Sequence, residues 1–314
     1  MSNIKFCYTA YTLFDDLLNV KPMMTGCYQW LKVFDGEAVA YKNLEDPEKY
    51  DAIQVNLDGY DWRIIANLKK RLKGSSTKIV ANQDYAPEIF NSAFEHPQDL
   101  ISAMEDADCV FATTPSGQEA MQILAGAEKK IWLSPHPCET HVLKKIRSTL
   151  MNEVIGVFFH RYAADTINPW IVMNNLGFRY LIAAYYESYD KWFRRTKSIY
   201  PNLVPYLKFP DLIKFMRELR AGLFNPVSWT YGRVPCDAAC AELPMVCSNT
   251  VYSAQICYPL TSVGPMEYNK QRELLKLLMT SESFRNEVID IASYNVEYFG
   301  HEKCKERFME MIGK

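Results

Sequence analysis

The spacing of apolar runs ahead of Pro135 leaves this chain few architectures. Residues 4–9, 52–57, 78–81, 108–112 and 130–133 are short apolar runs that mostly lack polar alternation, which is how strands covered on both faces read. Amphipathic stretches separate them at 27–34, 62–72, 97–105 and 116–124. Trp62, Ile65, Leu68 and Leu72 recur at helical spacing, so one stripe of that helix faces a sheet. Strands and helices alternating in this way predict a doubly wound α/β domain with a parallel sheet.

Pro135, His136 and Pro137 interrupt the series, because a residue before proline is pushed out of the helical region. A second series follows, with strands expected at 153–159 and 179–184 and a helix around 170–176. Leu212, Phe215, Met216, Leu219 and Leu223 mark a helical face after Pro210. Beyond Gly264 and Pro265 the spacing is helical throughout, carried by Leu274, Leu277 and Leu278 and then by Phe284, Val288, Ile291 and Phe299. At 314 residues the chain holds two domains of ordinary size, expected at 1–140 and 141–314.

Composition narrows the function classes. A net charge of −2 gives no global electrostatic case for nucleic acid. No apolar run approaches the roughly 18 residues of a membrane span, and Met1 to Lys5 lead into no signal-like segment, so a soluble, cytoplasmic protein is expected. The nine cysteines lack paired metal-ligand spacing and read as buried thiols in a reducing compartment. Asp106 and Asp108 spell a D-x-D, but they lead into a strand instead of following one, which is the wrong end of a sheet for a ligand.

The densest local signal lies between Ser228 and Asn249. It reads as a turn at Tyr231 and Gly232, a helix opened by Pro235 and carrying Asp237, a stop at Pro244 and a strand at 245–247. Pro235 suits a first helical turn, and Asp237 is expected there among unpaired N–H groups. Arg161 and Arg233, after a strand and a turn, are candidates for a diphosphate, because guanidinium forks match phosphate oxygens.

This stretch resembles the donor-site motif of the large retaining nucleotide-sugar glycosyltransferase family with the GT-B fold. Gly232, Arg233, Val234, Ala238, Leu243, Pro244, Val246 and Ser248 fall on its positions without a gap. Asp237 falls on the motif's second glutamate, which implies a ribose contact; Trp229 stands where the first glutamate belongs, near the sugar of the donor. Val251 and Tyr252 replace a glycine pair, leaving Ser253 or Gln255 to reach the donor by side chain. Residues 22–31 resemble the family's acceptor loop, with Thr25 and Gly26 at its end. Residues 131–140 resemble its interdomain connection, and 153–161 the strand that ends in Gly-Arg at Arg161. At the end of the 78–81 strand Gln83 takes the place of a family histidine, so general-base work falls to Asp84 or to none of these, and Asp84 reads equally as a helix cap ahead of Ala86 and Pro87.

The resemblance implies two Rossmann-like domains with a C-terminal helical stretch, the acceptor on the first and the nucleotide-sugar donor on the second, meeting in a cleft. It also implies sugar transfer to an acceptor hydroxyl with the nucleotide sugar as co-substrate, no further cofactor and no metal. The acceptor stays open between a glycan, a small molecule and a hydroxylated base in DNA, as for phage enzymes of this fold. Two basic clusters bear on the DNA alternative: Lys69, Lys70, Arg71 and Lys73, then Lys191, Arg194, Arg195 and Lys197. A different reading is a GT-B binding or scaffold protein without turnover, since Gln83, Trp229, Val251 and Tyr252 all depart at functional positions. Among the isolated histidines, His136, His141, His160 and His301, only His160, beside Arg161 at a strand end, is a candidate for the cleft, and a structural histidine is the favoured reading for it too.

Overall fold

The computed structural model describes residues 4–11, 13, 26–57, 61–84, 97–159, 167–184, 202–204, 207 and 210–314. They form two compact units, the first comprising Met1–Cys138 with Phe299–Lys314 and the second Glu139–Tyr298.

In the first unit β1 (Phe6–Ala10), β2 (Glu37–Ala40), β3 (Ala52–Asn56), β4 (Lys78–Gln83), β5 (Cys109–Ala112) and β6 (Ile131–Leu133) make a parallel sheet in the order β2-β1-β3-β4-β5-β6. Five of these strands fall on the expected apolar runs. The edge strand β2 was not expected, because a partly exposed four-residue Glu-Ala-Val-Ala offers too little apolar pattern to read. Helices α1 (Gly26–Phe34), α2 (Trp62–Arg71), α3 (Pro97–Asp106) and α4 (Pro115–Ala125) fill the crossovers. Thr114 starts α4 by accepting the Gly117 N–H on its hydroxyl at 3.1 Å, the usual work of an N-cap threonine.

One face of this sheet buries Ile53, Val55 and Val110 with Ile64, Ile65 and Leu68 of α2 and Met121 of α4. The other buries Phe6, Val80 and Phe111 with Trp30 and Phe34 of α1 and Phe308 of the C-terminal helix α12 (His301–Ile312). Residues 299–314 therefore cluster with the first unit, whereas the division at 140 and 141 had assigned them to the second. The cause is aromatic packing: Phe308 lies 4.9 Å from Phe34, 5.1 Å from Trp30 and 5.6 Å from Phe6 between ring centroids.

The second unit contains α5 (Thr140–Leu143), β7 (Asn152–Phe159), α6 (Ile167–Met173), β8 (Arg179–Ala184), α7 (Asp211–Arg217), β9 (Leu219–Phe224), α8 (Arg233–Cys240), β10 (Met245–Ser248), α9 (Tyr252–Cys257), β11 (Ser262–Val263), α10 (Tyr268–Thr280) and α11 (Glu282–Asn295). Its sheet is parallel in the order β11-β10-β9-β7-β8. The helix expected through Leu223 stops at Arg217, and Leu219 and Leu223 belong to the strand β9. Those leucines satisfy both periods; pairing with β7 and β10 on either side decides for strand. Gly222 leaves room for Met245, whose side chain would stand 3.0 Å from a Cβ there.

No described helix is long and apolar enough to cross a membrane.

Candidate functional site

In the second sheet the strand order turns back at the β7–β9 neighbours, and the connection leaving β9 occupies residues 225–232. Open parallel sheets bind ligands at the carboxyl ends of their strands beside such a switch point. This connection and the one leaving β10 are laced together. Thr230 N donates to Thr250 O at 3.1 Å, Tyr252 N to Thr230 O at 2.9 Å and Ser253 N to Tyr231 O at 3.0 Å. Gly232 sits at the join with φ +72°, and a Cβ on it would stand 2.2 Å from Val251 Cγ1. Glycine is required there twice over, by backbone conformation and by contact. The Ser253 hydroxyl donates to the Gly232 carbonyl, and Gln255 Nε2 donates to Asn249 O at 2.5 Å. Both side chains thus hold the two turns in place.

Helix α8 opens directly behind Gly232. Arg233 Nε donates to Asp237 Oδ1 at 2.7 Å, one helical turn on, and both side chains are buried. The sequence placed Asp237 in the first turn; the helix begins at Arg233, its first turn carries no acid, and Asp237 is a second-turn residue. A guanidinium one turn back along the helix is bonded to its carboxylate. A desolvated pair of this kind needs mutual hydrogen bonding to be tolerated. Trp229 is 46% exposed on the same connection. Arg161, Thr25 and His160 lie outside the described residues.

At the carboxyl end of the first sheet the structure brings together Asp84, just after β4, and His136, after β6. His136 Nε2 lies 2.7 Å from Asp84 Oδ1, with the imidazole buried and the carboxylate a quarter exposed. Gly26, at the start of α1, packs on the ring so closely that a Cβ would stand 2.0 Å from its Cδ2. The sequence singles out Asp84 and Gly26 and leaves His136 isolated. The available signal was its setting between two prolines, which fix the backbone that presents the ring. Gln83 Oε1 would be 2.8 Å from a Cβ on Gly117, over the first turn of α4.

Two other candidates are absorbed by the fold. Asp108 accepts the Ile79 N–H at 2.8 Å and lies 3.6 Å from Lys69, at the amino end of the strands as expected. Arg71 donates to the carbonyls of Leu44 at 2.6 Å and Glu45 at 2.7 Å. The cluster from Lys191 to Lys197 lies outside the described residues. Cys7, Cys109, Cys138, Cys236, Cys240, Cys247, Cys257 and Cys304 are all buried. Burial pushes the Cys7 thiol up to about 12 and that of Cys304 up to about 11, so neither is a nucleophile near neutrality. Among the described residues no group of three or more His, Cys, Asp or Glu could hold a metal ion.

No family model matches the chain, and no curated protein matches its sequence. Solved structures do match its fold. A structure described as trehalose-6-phosphate from E. coli, bound with UDP-2-fluoro glucose, superposes with TM-score 0.72 over 99% of each chain at 12% identity. Anabaena Alr3699/HepE in complex with UDP gives TM-score 0.71 at 12% identity, over 98% of this chain and 99% of that one. The α,α-trehalose 6-phosphate synthase of Burkholderia multivorans gives 0.67 at 13% identity, over 87% of this chain and 74% of its own. At such identities the likeness is one of fold, and it is the two-unit α/β fold that the Gly232–Ser248 resemblance implies.

Proposed function

We propose that this protein is a glycosyltransferase that takes a sugar from a uridine-diphosphate sugar held by its second unit and passes it to an acceptor hydroxyl. The observation that carries the reading is the buried Arg233–Asp237 pair at the mouth of α8, behind the positive-φ Gly232 and beside the strand-order switch. Structures of the same fold hold UDP and UDP-2-fluoro glucose, which favours uridine among the nucleotides.

The roles follow from the chemistry. Transfer breaks the bond between the sugar's anomeric carbon and the diphosphate oxygen, leaving negative charge on the diphosphate. Arg233, together with Arg161, neutralises that charge, and Asp237 fixes the guanidinium in the required orientation. Asp237 reaches the donor through Arg233, since its own side chain is fully buried. Trp229 offers an exposed aromatic face for the sugar or base. On the acceptor side Asp84 takes the hydroxyl proton as the new bond forms, and His136 holds the carboxylate in place.

A thermal-shift titration with uridine, adenosine and guanosine diphosphates tests the donor site. Ligand at a hundred times its dissociation constant adds about 2.7 kcal/mol of stability. Uridine diphosphate should stabilise the wild type, and the shift should vanish in Arg233→Met/Asp237→Leu, in which no buried charge is stranded. No shift with any nucleotide overturns the reading. A second reading, donor binding without turnover, is favoured by the tryptophan at position 229 where the resembling motif carries an acid. Release of UDP from UDP-glucose on adding acceptors separates the two.

A further inference from the structure

The first sheet has a switch point of its own, between β1 and β3, and the groups gathered there take no part in the roles just assigned. Tyr11 follows β1, Tyr41 follows β2, and Asp61 immediately precedes α2 in the connection that leaves β3. The Tyr11 and Tyr41 rings meet edge to face at 5.8 Å and 89°. Tyr11 N donates to Asp61 Oδ1 at 2.8 Å. Asp61 stands where an N-cap residue stands, yet its side chain makes no capping bond to α2 and turns instead to Tyr11. Arg63 extends over the Trp62 ring, its guanidinium carbon 5.2 Å from the centroid.

We infer that these residues form an acceptor subsite for a hexopyranose ring, which stacks a C–H face on Tyr11 and hydrogen-bonds its hydroxyls to Asp61 and Arg63. Three observations support it. Tyr11 is 41% exposed at the position where open parallel sheets take ligands, so a large aromatic face meets water there. The platform is held in advance. Asp61 fixes the Tyr11 backbone, and Arg71, anchored on the carbonyls of Leu44 and Glu45, lies 6.0 Å from the Tyr41 ring. Burial and then the neighbouring Tyr41 push the Tyr11 phenol up, with Arg63 opposing the rise and Asp61 adding to it, so both charges act on the ring. An aromatic face bordered by a carboxyl and a guanidinium matches a sugar ring, which is apolar on its faces and hydroxylated around its rim.

This subsite rests on the transferase reading for its name, but its test does not depend on turnover. Saturation-transfer difference NMR on the full chain with methyl α- and β-hexopyranosides of gluco, galacto and manno configuration reads sugar contact directly. At least one glycoside should receive saturation on its ring protons in the wild type. That transfer should be lost in Tyr11→Ala and retained in Tyr11→Phe. Asp61→Asn keeps an oxygen for the Tyr11 N–H and loses the charge, so affinity should fall about tenfold. A parallel UDP titration should be unchanged in all three variants. Unchanged sugar contact in Tyr11→Ala, or no glycoside bound by a wild type that does bind UDP, overturns the subsite. Sugar contact that depends on Tyr11 in a protein without UDP affinity supports the subsite and instead sinks the transferase reading.

Discussion

At the scale of single residues, the donor-side turn is over-determined at Gly232. Its φ of +72° is costly for any residue with a Cβ, and the contact with Val251 adds a second cost. Gly232→Ala should destabilise the protein by about 1–3 kcal/mol in chemical denaturation. Val251→Ala in the same chain should restore only part of this, since it relieves the contact and leaves the dihedral. Full restoration would show that contact alone governs the position. The sequence made Gly232, Arg233 and Asp237 legible because they lie within six consecutive positions and their order carries the turn and the helix. It did not make His136 legible. The partners of His136, Gly26 and Asp84, lie 110 and 52 positions away in the chain, and no local pattern records a contact that two crossover connections create. The fates of Ser253 and Gln255 were hidden for a related reason, because hydroxyl and amide groups suit a ligand or a neighbouring carbonyl equally well.

Among the elements, five strands of the first sheet are readable because buried parallel strands are apolar on both faces, and α2 because its stripe recurs at 3.6 residues. The central strand β9 was not. It follows α7 with only Glu218 between them, so no glycine or proline marks the change of period, and Leu219 and Leu223 suit either element. Helix α12 was readable as a helix but not as a member of the first unit, since amphipathicity shows that a face is buried without showing where. Its placement makes a prediction about stability. Phe308 is fully buried against Trp30, Phe34 and Phe6, so Phe308→Ala should cost about 3–5 kcal/mol. Ile291, on α11 of the second unit, is partly exposed, and Ile291→Ala should cost far less in the same denaturation experiment. Equal losses at the two sites would contradict the assignment of α12 to the first core.

At the scale of the whole chain, its last residue is tied to the start of β3. Lys314 Nζ pairs with Asp51 Oδ1 while Lys5 N donates to Asp51 Oδ2 at 2.7 Å. One carboxylate therefore joins the C-terminal end of α12 to the amino edge of the first sheet. The Lys314 hydrogen bond, and after it the Lys5 N–H, hold the Asp51 carboxyl below its ordinary range, with burial working the other way. A group whose pKa is lower folded than unfolded contributes stability above its unfolded value and loses it as the pH falls through its folded value. For an aspartate that loss begins near the ordinary value of about 3.9 and continues below it. Wild type should therefore exceed Asp51→Asn in thermal stability by a constant margin between about pH 5 and 7, and the margin should close under more acid conditions. The margin should be modest, because a third of the aspartate side chain is exposed and salt screens such pairs. Lys314→Met should remove most of the same margin and with it most of the pH dependence. A margin that stays open in acid would mean that Asp51 acts through packing instead of charge, and that the end of α12 is held by its aromatic face alone.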